Sequence, residues 1–187
     1  LKELQAINPN IKFLLENVKM KQEFKDVITS RLGVEPVAIN SNLVSAQNRY
    51  RLYWTNIDVD SNIEDRYITI KDVIFDFKQG YLIFTKKNPV NPKKNQSKFG
   101  CIVSSGYGNN SDMDVIVFNK NDVPITATNR ISCMNPEKAR RLTPEEWEKL
   151  QTVPVGYTSC VSDSQRYKML GNGWTVDVIA HIFQGLK

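Results

Sequence analysis

The stretch Phe13-Leu14-Leu15-Glu16-Asn17-Val18, "FLLENV", places a carboxylate and a carboxamide directly behind three large apolar side chains. With Ile11 and Lys12 ahead of it, "IKFLL" is a short apolar run that starts after the breaker Asn8-Pro9-Asn10, and it predicts a buried strand ending at Glu16. Upstream of the breaker, Leu1, Leu4 and Ile7 share one face of a short helix. Downstream, Phe24, Val27, Ile28 and Leu32 keep helical spacing with Gly33 as the stop, and "PVAIN" and "YRLYWTNI" predict a second and a third strand. Helices and strands alternate, as in an α/β fold whose open sheet carries helices on its faces. Ligand crevices of such sheets lie beyond the carboxyl ends of the strands, which is where Glu16 and Asn17 fall if "IKFLL" runs parallel to its neighbour. From there Glu16 could share a proton with a ring nitrogen of a substrate. It reads equally well as a strand-end acid capping the next helix.

The 187 residues suffice for one domain with a core, or a core plus a small lobe. A net charge of +5, from 25 Lys+Arg against 20 Asp+Glu, is compatible with a nucleic-acid partner without demanding one. No apolar run approaches the roughly 18 residues needed to span a bilayer and no charged-then-apolar leader opens the text, so no membrane partner and a cytoplasmic location are expected. Cys101, Cys133 and Cys160 are far apart and form no CxxC or Cys/His cluster, which argues against both a disulfide framework and a metal site. The text starts with Leu inside a helical pattern, as a piece of a longer polypeptide would.

Between the sheet-forming stretch 1–69 and a return to helical patterning at 139–187, residues 70–138 change character. Short strand-like pieces ("YLIF", "CIVS", "DVIVF") alternate with Lys-, Asn-, Pro-, Gly- and Ser-rich connections, and this predicts an inserted loop-rich lobe. It carries Lys86, Lys87, Lys93, Lys94 and Lys98 close together. Thr143-Pro144-Glu145-Glu146 then combines a cap, a first-turn proline and acids near the positive end of the helix dipole, and a last amphipathic helix is expected over about Val176 to Phe183.

Two further clusters could carry chemistry. In "AQNRYRLYW", Gln47, Arg49 and Arg51 recur at strand period, which sets them on one face where forked arginine donors could hold an anion or a carbonyl oxygen. A solvated edge-strand face explains the same pattern. In "MLGNGWTV", a Gly-Asn-Gly turn feeds a helix whose first amides would be free for a ligand, although a plain tight turn is the simpler account. His181, the only histidine, reads as a packing or surface residue.

The order of the pieces says more than any one of them. An ENV strand, a Gln-x-Arg-x-Arg segment, a basic lobe, "RRLTPEEWEKLQTVPVGYT" and "GNGWTV" together resemble the C-terminal half of C5-cytosine DNA methyltransferases over essentially the whole chain. The resemblance implies a partial Rossmann-like, S-adenosylmethionine-dependent methyltransferase fold with an inserted target recognition lobe. It implies methyl transfer from S-adenosylmethionine to C5 of a flipped cytosine in double-stranded DNA, with no metal. By the same resemblance Glu16 contacts N3 and the exocyclic amine of the base, Arg51 bonds its O2, and Gln47 and Arg49 support the site. Asn17 would brace the neighbouring catalytic loop, Asn172, Gly173 and Trp174 would line the cofactor pocket, and Lys93 and Lys94 would meet DNA. Two departures stand out. The family's usual "LQGFP" is "LQTVP", with Thr152 and Val153, and neither a Phe-x-Gly-x-Gly loop nor a Pro-Cys pair precedes Glu16. The chain alone is therefore expected to be inactive and to need an N-terminal catalytic half, in the same polypeptide or as a second subunit. The competing expectation is a non-catalytic DNA-binding or regulatory relative.

Overall fold

The computed structural model describes residues 1–75, 82–84, 97–102, 115–117 and 139–186. The chain divides into two compact units, Leu1–Asn40 with Tyr50–Glu64 and Val178–Lys187, and Ser41–Arg49 with Asp65–Asp177.

The first unit contains α1 (Lys2–Ile7), β1 (Leu14–Val18), α2 (Gln22–Leu32), β2 (Val37–Asn40) and β3 (Tyr50–Thr55). Its sheet has the order β1-β3-β2, and β3 runs antiparallel to both neighbours. Strands β1 and β2 therefore point the same way, joined through α2, with β3 inserted between them. The central place of β3 follows from its composition. Leu52, Tyr53 and Trp54 are consecutive, large and all buried, which only a strand covered on both faces satisfies. Helix α2 stops where Gly33 turns left-handed at φ 72° and its N–H reaches Thr29 O, and Trp54 Nε1 donates to Thr29 Oγ1 from the sheet.

This arrangement corrects the expected position of Glu16. The ladder begins at Leu14 rather than Ile11, because Ile11 and Phe13 are held by Asn56 and Thr55 side chains instead of by strand pairing. Glu16 consequently lies in the middle of β1, opposite Tyr53, and not beyond a parallel strand's end. A carboxylate is tolerated there because β1 is a sheet edge among the described residues and a cation sits across the ladder.

The second unit is built on a core of Ala46, Ile70, Val73, Phe99, Ile102, Leu142, Trp147, Leu150, Tyr167 and Leu170. Around it lie α3 (Ile70–Val73), α4 (Pro144–Leu150) and α5 (Asp163–Asn172). A second antiparallel sheet joins β4 (Leu82–Phe84), β5 (Val115–Val117) and β6 (Ala139–Arg141) in that order. "YLIF" and "DVIVF" each supply one of these strands, Cys101 and Ile102 of "CIVS" stand outside any strand, and most of the predicted lobe lies outside the described residues. Helix α4 starts as anticipated. Thr143 Oγ1 accepts from the Glu146 N–H at 3.3 Å while the Glu146 carboxylate accepts from the Thr143 N–H at 2.7 Å, a reciprocal cap behind Pro144. Helix α6 (Val176–Phe183) buries Val178, Ile179 and Ile182 and belongs to the first unit from Val178 onward.

Candidate functional site

Val18 faces Arg51 and Glu16 faces Tyr53 across the β1–β3 ladder, so Glu16 and Arg51 are diagonal neighbours on one face. Their side chains form an ion pair, Arg51 Nε to Glu16 Oε1 at 2.7 Å, with only 12% and 18% of the two side chains exposed. Arg51 also donates to Tyr50 O. Glu16 Oε1 is buried, and Arg51 lies at contact distance without hydrogen-bond alignment, so this oxygen accepts no hydrogen bond among the described residues. A sheltered acceptor with a cation beside it is suited to a donor on a flat polar ring. Asn17 projects to the other face by strand alternation, and its Oδ1 accepts from the adjacent Val18 N–H.

Gln47 and Arg49 depart from the expectation that they share a strand face with Arg51. Both precede β3, Gln47 making only an isolated bridge to Phe99, and both are buried. Gln47 Nε2 donates to Leu150 O at 2.6 Å and Gln151 Oε1 at 2.9 Å. Arg49 donates to Ile102 O at 3.0 Å and Gly173 O at 2.8 Å. The cause is the set of carbonyls that helices leave without intrahelical partners at their C-terminal ends. Leu150 closes α4 and Gly173 caps α5, and long polar side chains from the 47–49 segment satisfy both. Within the second unit this joins Gln47 and Arg49 to the Asn172–Trp174 turn, whereas Glu16 and Arg51 pair within the first.

At that turn α5 runs through Asn172 and Gly173 caps it, so close to the helix that an added Cβ would meet Met169 O at 3.1 Å. Trp174 is 45% exposed. The first two amides of α6 are already engaged, contrary to the expectation that they would be free for a ligand. Val176 N donates to Gln151 O and Asp177 N to Thr152 Oγ1, both at 2.9 Å. Lys98, the last lysine of the basic run, is turned inward, its ammonium donating to Asn42 O, Ser45 O and Ile68 O. Burial lowers its pKa, against the partial pull of Asp65 and Asp72. Lys93 and Lys94 lie outside the described residues.

Three participants were not apparent as site residues in the sequence. Gln151 sits at the centre of the turn's hydrogen bonds. Thr152 occupies φ 56°, where the family's glycine would be unstrained, and the departure from "LQGFP" was its only signal. Glu148 is fully buried and accepts from Gly156 N, Thr158 N, Thr158 Oγ1 and Arg166, which fastens the connection between α4 and α5. Burial alone would raise its pKa, but the hydrogen bonds from Thr158, Gly156 and Arg166 prevail and hold it below the usual glutamate range.

Comparisons with known proteins bear on the family and the fold. Among curated proteins, the type II methyltransferase M.HpaII of Haemophilus parainfluenzae is 26% identical over 208 residues, which takes in 89% of this chain and 57% of that protein. The chain thus spans little more than half the length of that relative. Among solved structures, a Spodoptera frugiperda DNMT2 variant superposes with TM-score 0.62 at 18% identity, covering 98% of this chain and 68% of the other. The Entamoeba histolytica methyltransferase EhMeth gives 0.59 at 16% identity, covering 94% and 63%. At these identities the likeness carries the fold, the mixed α/β methyltransferase fold. The model of the C-5 cytosine-specific DNA methylase family matches residues 2–187, and with a match over nearly its whole length the chain belongs to that family.

Proposed function

We propose that this chain is the C-terminal portion, or a separate subunit, of a DNA (cytosine-5)-methyltransferase, supplying the grip on the flipped cytosine and one wall of the S-adenosylmethionine pocket. The observation that carries this reading is the sheltered Glu16–Arg51 ion pair, which sets a carboxylate and a guanidinium side by side on one face of the sheet. Cytosine C5 is a poor nucleophile, so a thiolate must add at C6, with the charge that develops on the ring met at N3, and the base must first leave the duplex. In this reading Glu16 holds the proton at N3 and the exocyclic amine, and Arg51 donates to O2. Arg49 and Gln47 support the site by holding the Gly173 turn and the end of α4. Asn17 braces the neighbouring catalytic loop. S-adenosylmethionine supplies the electrophilic methyl group when bound, and Trp174, half exposed beside the closely packed Gly173, offers a flat surface for it.

The nucleophile comes from a second polypeptide segment. Cys101, Cys133 and Cys160 all follow the ENV strand in sequence and none follows a proline. A need for further polypeptide is supported by the surface of the first unit. No residue of α2 is buried, Phe24 and Val27 of its apolar stripe are each more than half exposed, and β1 is an edge strand among the described residues. DNA contact would fall to the basic lobe that includes Lys93 and Lys94. A purely DNA-binding relative would have no use for a sheltered Glu–Arg pair.

The test is single-turnover methylation of cytosine-containing DNA by this chain combined with a polypeptide that supplies the Gly-rich loop and the Pro-Cys pair. The chain alone is expected to transfer nothing. In the combination, Glu16→Gln should slow the chemical step roughly 100-fold or more with DNA affinity little changed, as for loss of a general acid. Arg51→Ala should weaken both. Parental-rate methylation by Glu16→Gln would reduce Glu16 to a structural residue.

A further inference from the structure

Helices α5 and α6 are separated by only Gly173, Trp174 and Thr175, and one buried side chain engages the residues on either side of Trp174. Gln151 is 1% exposed. Its Nε2 donates to Leu170 O at 2.5 Å and to Gly173 O at 3.2 Å. Its Oε1 accepts from Thr175 Oγ1 at 3.0 Å and from Gln47 Nε2 at 2.9 Å, and its backbone carbonyl accepts from Val176 N at 2.9 Å. Gly173 O receives a second donor from Arg49. Trp174 itself, bracketed by these anchors, is the exposed member of the turn.

We propose that Gln151 is a positioning residue for the Gly173–Thr175 turn, which it holds in the geometry that presents Trp174 to S-adenosylmethionine; this rests on the methyltransferase reading above. The chemistry of the contacts selects glutamine. Leu170 O and Gly173 O require donors while Thr175 Oγ1 and Gln47 Nε2 require an acceptor, and a carboxamide supplies both from one planar group. A carboxylate lacks the donors, a thioether lacks the donors and offers only a weak acceptor, and asparagine is a methylene shorter. Gln47 holds the orientation, because its own Nε2 must meet an oxygen rather than the Gln151 nitrogen. The same pairing explains why the first polar residue of the Gln-x-Arg-x-Arg segment is buried. It orients the side chain that holds the turn.

The first experiment uses the chain alone. Trp54 and Trp147 are buried, so acrylamide quenching reports on Trp174. Gln151→Met, and separately the near-isosteric Thr175→Val, should raise the quenching constant about twofold at temperatures well below unfolding, as the turn loosens. The Thr175 variant removes a single hydroxyl and decides the matter if Gln151→Met does not fold. Unchanged quenching in the folded variants overturns the proposal. The second experiment uses the combined enzyme. The KM for S-adenosylmethionine should rise roughly tenfold in Gln151→Met, with kcat and DNA affinity within about twofold of the parent, and the Thr175 substitution should add little on top of it. A general loss of folding would lower the active fraction and leave KM unchanged, and that result overturns the proposal. If the parental combination transfers no methyl group, the methyltransferase reading fails, while the quenching of Trp174 still decides whether Gln151 holds the turn.

Discussion

Thr152 shows how one residue can depart from its family and stay compatible with the fold. Its φ of 56° puts a β-branched side chain in the left-handed region, at a cost of roughly 1–2 kcal/mol relative to ordinary backbone. The hydroxyl offsets part of this, donating to Gln151 O at 2.7 Å and accepting from Asp177 N at 2.9 Å, the latter at the first turn of α6. A glycine would remove the strain and also the hydroxyl. Thr152→Ala keeps the strain and loses the contacts, so it should lower stability by about 1–2 kcal/mol, whereas Thr152→Gly should come out about 1 kcal/mol more stable than the alanine variant. Urea unfolding of the three proteins measures both differences. Equal stability of the alanine and glycine variants would show that Thr152 is not strained.

At the scale of elements, α4 is held at both ends by carboxylates. Glu146 closes its N-terminal cap and also accepts from Phe75 N, and Glu148 gathers the connection to α5 and pairs with Arg166 at 3.1 Å. Arg166 reaches Glu145 at 2.7 Å and Asp163 at 3.4 Å as well. Burial disfavours the Arg166 charge, but Glu145 and Glu148 outweigh it and raise its pKa. Glu145 is likewise lowered, its burial being overcome by the backbone and Arg166 hydrogen bonds. Since the folded values of Glu145 and Glu148 lie below the ordinary value of 4.5, their stabilisation is whole above that value and is lost as pH falls through the depressed folded values. Glu148→Gln should therefore cost roughly 1–3 kcal/mol at pH 7, because an amide replaces the carboxylate that accepts from the Gly156 and Thr158 N–H groups while Arg166 keeps Glu145 and Asp163, and should flatten the loss of stability on acidification. Urea midpoints between neutral pH and pH 3 check both; parallel curves for parent and variant would remove Glu148 from the acid response. Helix α2 behaves oppositely. Phe24 and Val27 are more than half exposed, so changing both to Ser should shift the stability of the chain by no more than about 0.5 kcal/mol each. The same pair should abolish association with the completing polypeptide, measured by co-purification, and undiminished association would place the contact elsewhere.

For the whole molecule the relevant quantities are charge and extent. A chain of net charge +5 that belongs to a DNA methylase family should bind DNA weakly and with steep salt dependence. Lys98 is engaged with three backbone carbonyls and should contribute little to that slope. Lys93→Ala with Lys94→Ala should reduce its magnitude by roughly one to two units if both meet phosphate. Fluorescence titrations across a range of salt concentrations give the slope, and an unchanged value would remove the two lysines from the interface. Among the described residues no helix is long and apolar enough to cross a membrane.

The sequence by itself determined the elements whose signals are local. Asn8 ends α1, Gly33 ends α2 in the left-handed conformation, and Thr143-Pro144 with Glu146 starts α4, each within a few residues of the position the pattern predicts. The order of short motifs was enough to indicate the family. Only the tertiary structure decided that β3 lies between β1 and β2, that Glu16 sits mid-strand beside Arg51, and that Gln47 and Arg49 serve helix ends instead of sharing a face with Arg51. The physical reason is range. Caps and turns are settled by neighbours along the chain, whereas the destination of a long polar side chain depends on which buried carbonyl lacks a partner, and Gln47 finds Gln151 from 104 residues away.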